Sequence, residues 1–99
     1  MARRIVKIVT EVPGPKSRQL YAEMEQNVPR GVAHLTPIAV SSAKGAMVTD
    51  VDDNTYLDFA GGIGVLNVGH RPEDVVKAIK DQLDKYMHVM VYGEFLQEP

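Results

Sequence analysis

Cysteine is absent from the 99-residue chain, which excludes disulfide bonds, thiolate nucleophiles and cysteine-based zinc sites in one step. The same absence is compatible with a reducing compartment. No apolar run has the length of a signal-peptide core, and none approaches the roughly 18 residues that cross a bilayer. Charge of one sign is lacking as well: 11 basic side chains stand against 13 acidic ones, a net charge of −2, with both signs scattered. Such a balance gives no electrostatic footprint for nucleic acid or an anionic membrane. The pair Arg3-Arg4 amounts to a polar N-terminal arm. Repeats and low-complexity tracts are missing too. The expectation is a soluble, cytoplasmic protein with neither nucleic acid nor membrane as a partner.

What is present reads as one small α+β unit. Residues 1–10 alternate only briefly and suit a short strand or an arm. Pro13-Gly14-Pro15 breaks the chain, because two fixed φ angles flank a glycine. Ser17 then stands as a helix cap, with Leu20, Met24 and Val28 on one stripe and Pro29-Arg30-Gly31 as the stop. From Pro37 the pattern turns to short β runs: Ile38-Ala39-Val40, then residues 45–51, then Tyr56-Leu57-Asp58-Phe59. The turn formers Asp52-Asp53-Asn54-Thr55 make the last two a hairpin in an antiparallel meander. Residues 61–70 are rich in glycine yet apolar, which predicts an extended segment pressed against protein or ligand. A helix over 72–88 follows, with Glu73 and Asp74 at its start and Val75, Val76, Ile79, Leu83 and Met87 on one face.

The glycine cluster fails the dinucleotide fingerprint, because Asn67 stands where its third glycine belongs. Gly64 and Gly69 have phosphate-loop spacing, but His70 and Arg71 replace the lysine and hydroxyl that grip phosphate and magnesium. Asp50, Asp52 and Asn54 match three ligand positions of a calcium loop, yet Thr55 and Gly61 occupy the places of its glycine and bidentate glutamate. An ordinary hairpin turn explains them. His34, His70 and His88 have no helical pairing that would suit a metal. His70, at a helix entrance, suits a structural hydrogen bond better than catalysis. No lysine sits in an apolar setting that would lower its pKa. On residues alone neither a catalytic group nor a metal site can be assigned.

Three segments in order change that reading. Val28-Pro29-Arg30-Gly31-Val32 with Pro37-Ile38 is similar to the opening of 4-aminobutyrate aminotransferases. Thr49-Asp50-Val51-Asp52 and Tyr56-Leu57-Asp58-Phe59-Ala60-Gly61-Gly62-Ile63 resemble the small-domain hairpin of that family. Val65-Leu66-Asn67-Val68-Gly69-His70, followed by the Val75-Val76 helix, matches what comes next there. The resemblance, to the class-III pyridoxal-phosphate-dependent aminotransferases, covers more than half of the chain. In one departure, Arg71-Pro72 brings a proline one position forward and drops a second histidine.

The resemblance implies the N-terminal small-domain part of a fold-type-I enzyme: helix, antiparallel β-meander, helix. Residues 1–28 would be the arm and first helix. Residues 29–70 would be the meander with its glycine-rich segment, and 71–99 the linking helix and the exit toward a large domain. It implies an enzyme working as a homodimer, with pyridoxal phosphate held by a lysine beyond Pro99, so that this chain alone would be inactive. The implied reaction moves an amino group from an ω-amino acid such as 4-aminobutyrate to a 2-oxo acid. A racemase or epimerase, or a broad-specificity aminotransferase of the same family, is the alternative, as is a non-catalytic stand-alone module. By the resemblance Ile63 packs on the substrate chain, and Tyr92, or its neighbour Gly93, is a second substrate-side position. An apolar wall at Ile63 would favour methylene-rich substrates by only about 1–3 kcal/mol per methylene.

Overall fold

The computed structural model describes residues 5–32 and 34–88. Helix α1 (Pro15–Asn27) is followed by strands β1 (Val40–Lys44), β2 (Met47–Asp50) and β3 (Thr55–Leu57). A single distorted turn, α2 (Gly61–Gly64), and helix α3 (Glu73–Leu83) complete the order. The strands form one antiparallel meander, β1-β2-β3, in the expected α+β arrangement. Met47 pairs with both Lys44 and Leu57, and Val48 with Ala43 and Tyr56.

Several boundaries differ from the sequence reading, two of the strand ends for a local reason. The first strand starts at Val40 instead of Ile38, and its register shifts between Val40 and Ser42. There the Ser41 hydroxyl donates to the carbonyls of Thr49 and Asp50, both at 3.0 Å, which takes up the extra residue as a bulge. The third strand ends at Leu57 because Asp58 turns its carboxylate to the amides of Ala60 and Gly61. The last helix ends at Leu83, short of the expected His88.

The cap of α1 is also not the residue the sequence suggests. Gly14 holds the cap position with Pro15 behind it, and Ser17 lies inside the first turn. The open amides of that turn are met from across the chain: Lys16 and Ser17 donate to the two carboxylate oxygens of Asp52, at 2.8 and 2.9 Å. A negative charge at this end of a helix is favourable. A Cβ on Gly14 would collide with the Asp52 carboxyl group, so a bare backbone there is what lets the carboxylate in. The Ser17 hydroxyl instead accepts from the Ala39 amide at 3.3 Å, tying α1 to the approach of β1. At the far edge Lys7 exchanges backbone hydrogen bonds with Thr55, so the N-terminal arm adds a bridge to β3.

The interior is polar. Asn54, Asp50 and Ser17 are the fully buried side chains, and no hydrophobic residue is buried among the described residues. Radius of gyration is 18.1 Å, against about 13 Å for a compact chain of 100 residues. The apolar side chains of α3, Val75, Ile79 and Leu83, stay half exposed along one face.

Candidate functional site

Two polar assemblies organise the region around the meander. The first occupies the turn after β2. The Asp50 carboxylate accepts from the amides of Asp52 (2.9 Å) and Asn54 (2.8 Å), from the Asn54 side chain (2.9 Å) and from the Tyr56 hydroxyl (2.8 Å). Asn54 in turn accepts from the amides of Val9 and Thr10 and donates to the Thr10 hydroxyl. Burial pushes the Asp50 carboxyl up, but the hydrogen bonds from Asn54 and Tyr56 and from two backbone amides outweigh it and leave the group below its ordinary value. Asp52 behaves alike: burial raises it, and the amides of Ser17 and Lys16 lower it further than that. Burial first, and then the acceptor Asp50, push the Tyr56 phenol up to about 12. No buried side-chain polar atom lacks a partner among the described residues. The carboxylates that resembled calcium ligands are engaged in holding the arm, the hairpin and α1 together.

The second assembly surrounds the glycine-rich segment. Asp58 Oδ1 accepts from the amides of Ala60 and Gly61, both at 2.9 Å, and Oδ2 lies 2.7 Å from His70 Nε2. The Gly61 amide first, then His70, hold the Asp58 carboxyl below its ordinary value against the opposing pull of burial. His70 also exchanges both backbone hydrogen bonds with Gly45, at 2.9 and 2.7 Å. The backbones approach so closely there that a Cβ on Gly69, at φ 83°, would stand 3.0 Å from the Gly45 carbonyl oxygen.

Between these anchors the segment is coiled, contrary to the extended conformation expected. Gly61, Gly62, Gly64 and Gly69 all have positive φ, and so does Ile63, at φ 59° and ψ 59°. Four left-handed glycines wind the backbone into a turn that no extended run can match. A β-branched residue in that region is an outlier, and strain of this kind, of order 1–3 kcal/mol, persists where the surroundings impose it. Ile63 is 86% exposed at the tip of the turn. An open groove of about 410 Å³ runs along the sheet, lined by Ile38, Val40, Val48, Tyr56, Phe59 and His70 among others. Phe59 on its rim is 91% exposed.

Of the candidate residues, Ile63 is thus placed at an exposed tip, and Tyr92 and Gly93 lie outside the described residues. The histidines do not converge: His34 bonds the Val32 carbonyl at 3.1 Å, His70 faces Asp58, and no group of three potential metal ligands forms among the described residues. His70 makes the structural hydrogen bond its position suggested. Sequence reasoning read Asp52 and Asn54 as turn formers and Asp58 as part of a strand, and missed what their side chains hold. Asp58 carries a legible local signal, a carboxylate two and three residues before the amides it accepts from. The other two act across 35 to 45 residues, where no spacing rule applies.

The geometry finds counterparts among aminotransferases of known structure. The class-III aminotransferase family profile matches residues 28–98, and the chain belongs to that family. It is 41% identical over 85 residues to the 4-aminobutyrate aminotransferase GabT of Escherichia coli, covering 82% of this chain and 20% of that enzyme. It is 45% identical over 74 residues to the 5-aminovalerate aminotransferase DavT of Pseudomonas putida, covering 71% of this chain and 17% of that one. Among solved structures, the ornithine aminotransferase of Toxoplasma gondii, with pyridoxal phosphate partially occupying its active site, superposes with a TM-score of 0.68 at 29% identity. That match covers 80% of this chain and 18% of the other. The chain therefore spans about a fifth of the length of the relatives it matches.

Pyridoxal phosphate, the cofactor this family implies, finds no seat among the described residues. Every lysine is exposed; Lys44 pairs with Glu73 at 3.4 Å and Lys77 with Asp81. None is enclosed by apolar side chains, as a lysine carrying Schiff-base chemistry would be.

Proposed function

We propose that this chain forms the N-terminal part of the small domain of an aminotransferase that passes the amino group of an ω-amino acid to a 2-oxo acid. Its contribution is substrate fit, and pyridoxal phosphate and the reacting lysine belong to the rest of such an enzyme. Family membership and the ω-amino acids in the names of its relatives support the reaction. The observation that carries the site is Ile63: a strained, β-branched side chain held out by glycines, where packing within this chain gives it no reason to be. In this reading Ile63 lies along the methylene chain of the donor, with Tyr92 as a second contact. The exposed apolar faces of α3 and the glycine-rich segment suit burial against the large domain and a homodimer partner. The cysteine-free composition suits the cytoplasm.

The test uses the intact, cofactor-loaded enzyme that carries this segment. Its products should be an ω-oxo acid, the aldehyde left by the donor, and the 2-amino acid formed from the 2-oxo acid acceptor, with no inverted amino acid. Ile63→Glu should change the preference between ω-amino donors differing by one methylene by about tenfold or more. Ile63→Gly should erode the same preference while raising stability by about 1 kcal/mol, since it relieves the left-handed strain. An unchanged preference in both variants removes Ile63 from the substrate site.

A further inference from the structure

The conformation of the glycine-rich segment is set from its two ends. Its internal backbone bonds are local: Ile63 to Ala60, Val65 and Leu66 to Gly61, Gly69 to Leu66. These shape a turn without aiming it. Its orientation against the sheet comes from Asp58, whose one carboxylate reaches the amides of Ala60 and Gly61 at the entry and His70 at the exit. Both residues are fastened to the β1–β2 turn, Asp58 through its amide to the Ala46 carbonyl at 2.8 Å and His70 through its pairing with Gly45. A loop closed by one carboxylate on a sheet has little freedom left to rotate. Side chains that shape a pocket depend on such support for sub-ångström placement.

We infer that Asp58 and His70 are a positioning pair that aims Ile63, and that they set chain-length discrimination in the donor without touching it. The inference rests on the reading of Ile63 as substrate-facing. It assigns to an exposed loop the fixed geometry that specificity requires, and it gives the Asp58–His70 hydrogen bond a purpose beyond capping.

Two measurements on the intact enzyme separate the parts of the inference. Amide hydrogen exchange over residues 61–69 should accelerate by about tenfold or more in Asp58→Ala and in His70→Ala, with residues 47–57 unchanged. His70→Gln, which keeps a side-chain donor for the carboxylate, and Asp58→Asn, which keeps an acceptor for the amides, should restore much of the protection. On donors differing by one methylene, Asp58→Ala should shift the kcat/KM ratio several-fold, mostly through KM. Combined with Ile63→Gly, it should add almost nothing further to that shift. Unaltered exchange in Asp58→Ala would show that the loop holds itself, and the pair would be discarded. Faster exchange with an unmoved ratio overturns the specificity role if Ile63→Gly itself moves the ratio. If Ile63→Gly leaves the ratio unmoved too, the reading of Ile63 fails while the pair stands as a loop anchor. An effect of Asp58→Ala on kcat for all donors alike would also overturn the inference, since a general structural loss has no chain-length dependence.

Discussion

The turn at residues 50–54 and the segment at 61–69 invert the usual distribution of side chains. The turn buries Asp50, Asp52 and Asn54, while the segment exposes Ile63, Val65 and Val68. A buried polar group is tolerated when every donor and acceptor is met, and the turn meets them by drawing in the arm, α1 and Tyr56. An exposed apolar run has no such internal compensation, and patches of this kind mark surfaces that meet something else. The contrast separates what this chain does for itself from what it offers outward. The turn holds three distant pieces of backbone in place, and the segment presents a shape.

The contrast can be broken most forcefully at Asn54. Asn54→Ala removes four hydrogen bonds, and at about 1 kcal/mol each in net terms the loss should approach 3 kcal/mol or more. In the intact enzyme this should appear as a lower urea midpoint with the slope kept, and residues 7–10 should lose amide protection. A midpoint unchanged within error would mean that the polar turn is ornamental to stability.

Gly69→Ala probes the other region. A left-handed alanine whose Cβ presses on the Gly45 backbone should destabilise by roughly 2 kcal/mol. It should weaken the Gly45–His70 pairing first, read as faster exchange at those two amides. Equal loss of protection across the whole sheet would show that the segment is not a separable unit.

The smallest effect is electrostatic. The Tyr56 phenol is raised to about 12, so the stability it contributes is complete below the ordinary tyrosine value of about 10 and is lost as pH rises through 12. The lowered carboxyls of Asp50 and Asp58 work in the opposite sense. Their contribution is present above about pH 4, the ordinary aspartate value, and disappears as pH falls through their depressed values. Alkaline difference spectra of the wild type against Tyr56→Phe should show no extra phenolate until near pH 12. Its appearance near pH 10 would mean that the hydroxyl is free of Asp50.

Much of the fold is legible along the sequence, and the failures have a pattern. Val75, Ile79 and Leu83 at helical spacing mark α3, Pro29 stops α1 near its true end, and the cluster from Asp52 to Asn54 marks the hairpin. Each of these signals lies within one turn of helix or one reversal of strand. The cap of α1 is misread because a serine in the right place is a local signal, whereas the carboxylate that replaces it arrives from Asp52. The glycine-rich run is misread as extended because composition reports what conformations glycine permits, not which one is used. The substrate-side candidate Ile63 comes from family resemblance alone; its strain and exposure are visible only in three dimensions.

By itself the sequence determined the two long helices, the pairing of the meander and the hairpin turn, because those preferences arise from contacts among neighbouring residues. It also carried the family, through an ordered series of short motifs. Tertiary structure alone decided that Asp52 would close a helix it does not belong to. It decided as well that one carboxylate at Asp58 would hold both ends of a loop. Hydrogen bonds of that reach form only once the sheet has brought the partners to within 3 Å, and no periodicity in the chain records such a distance.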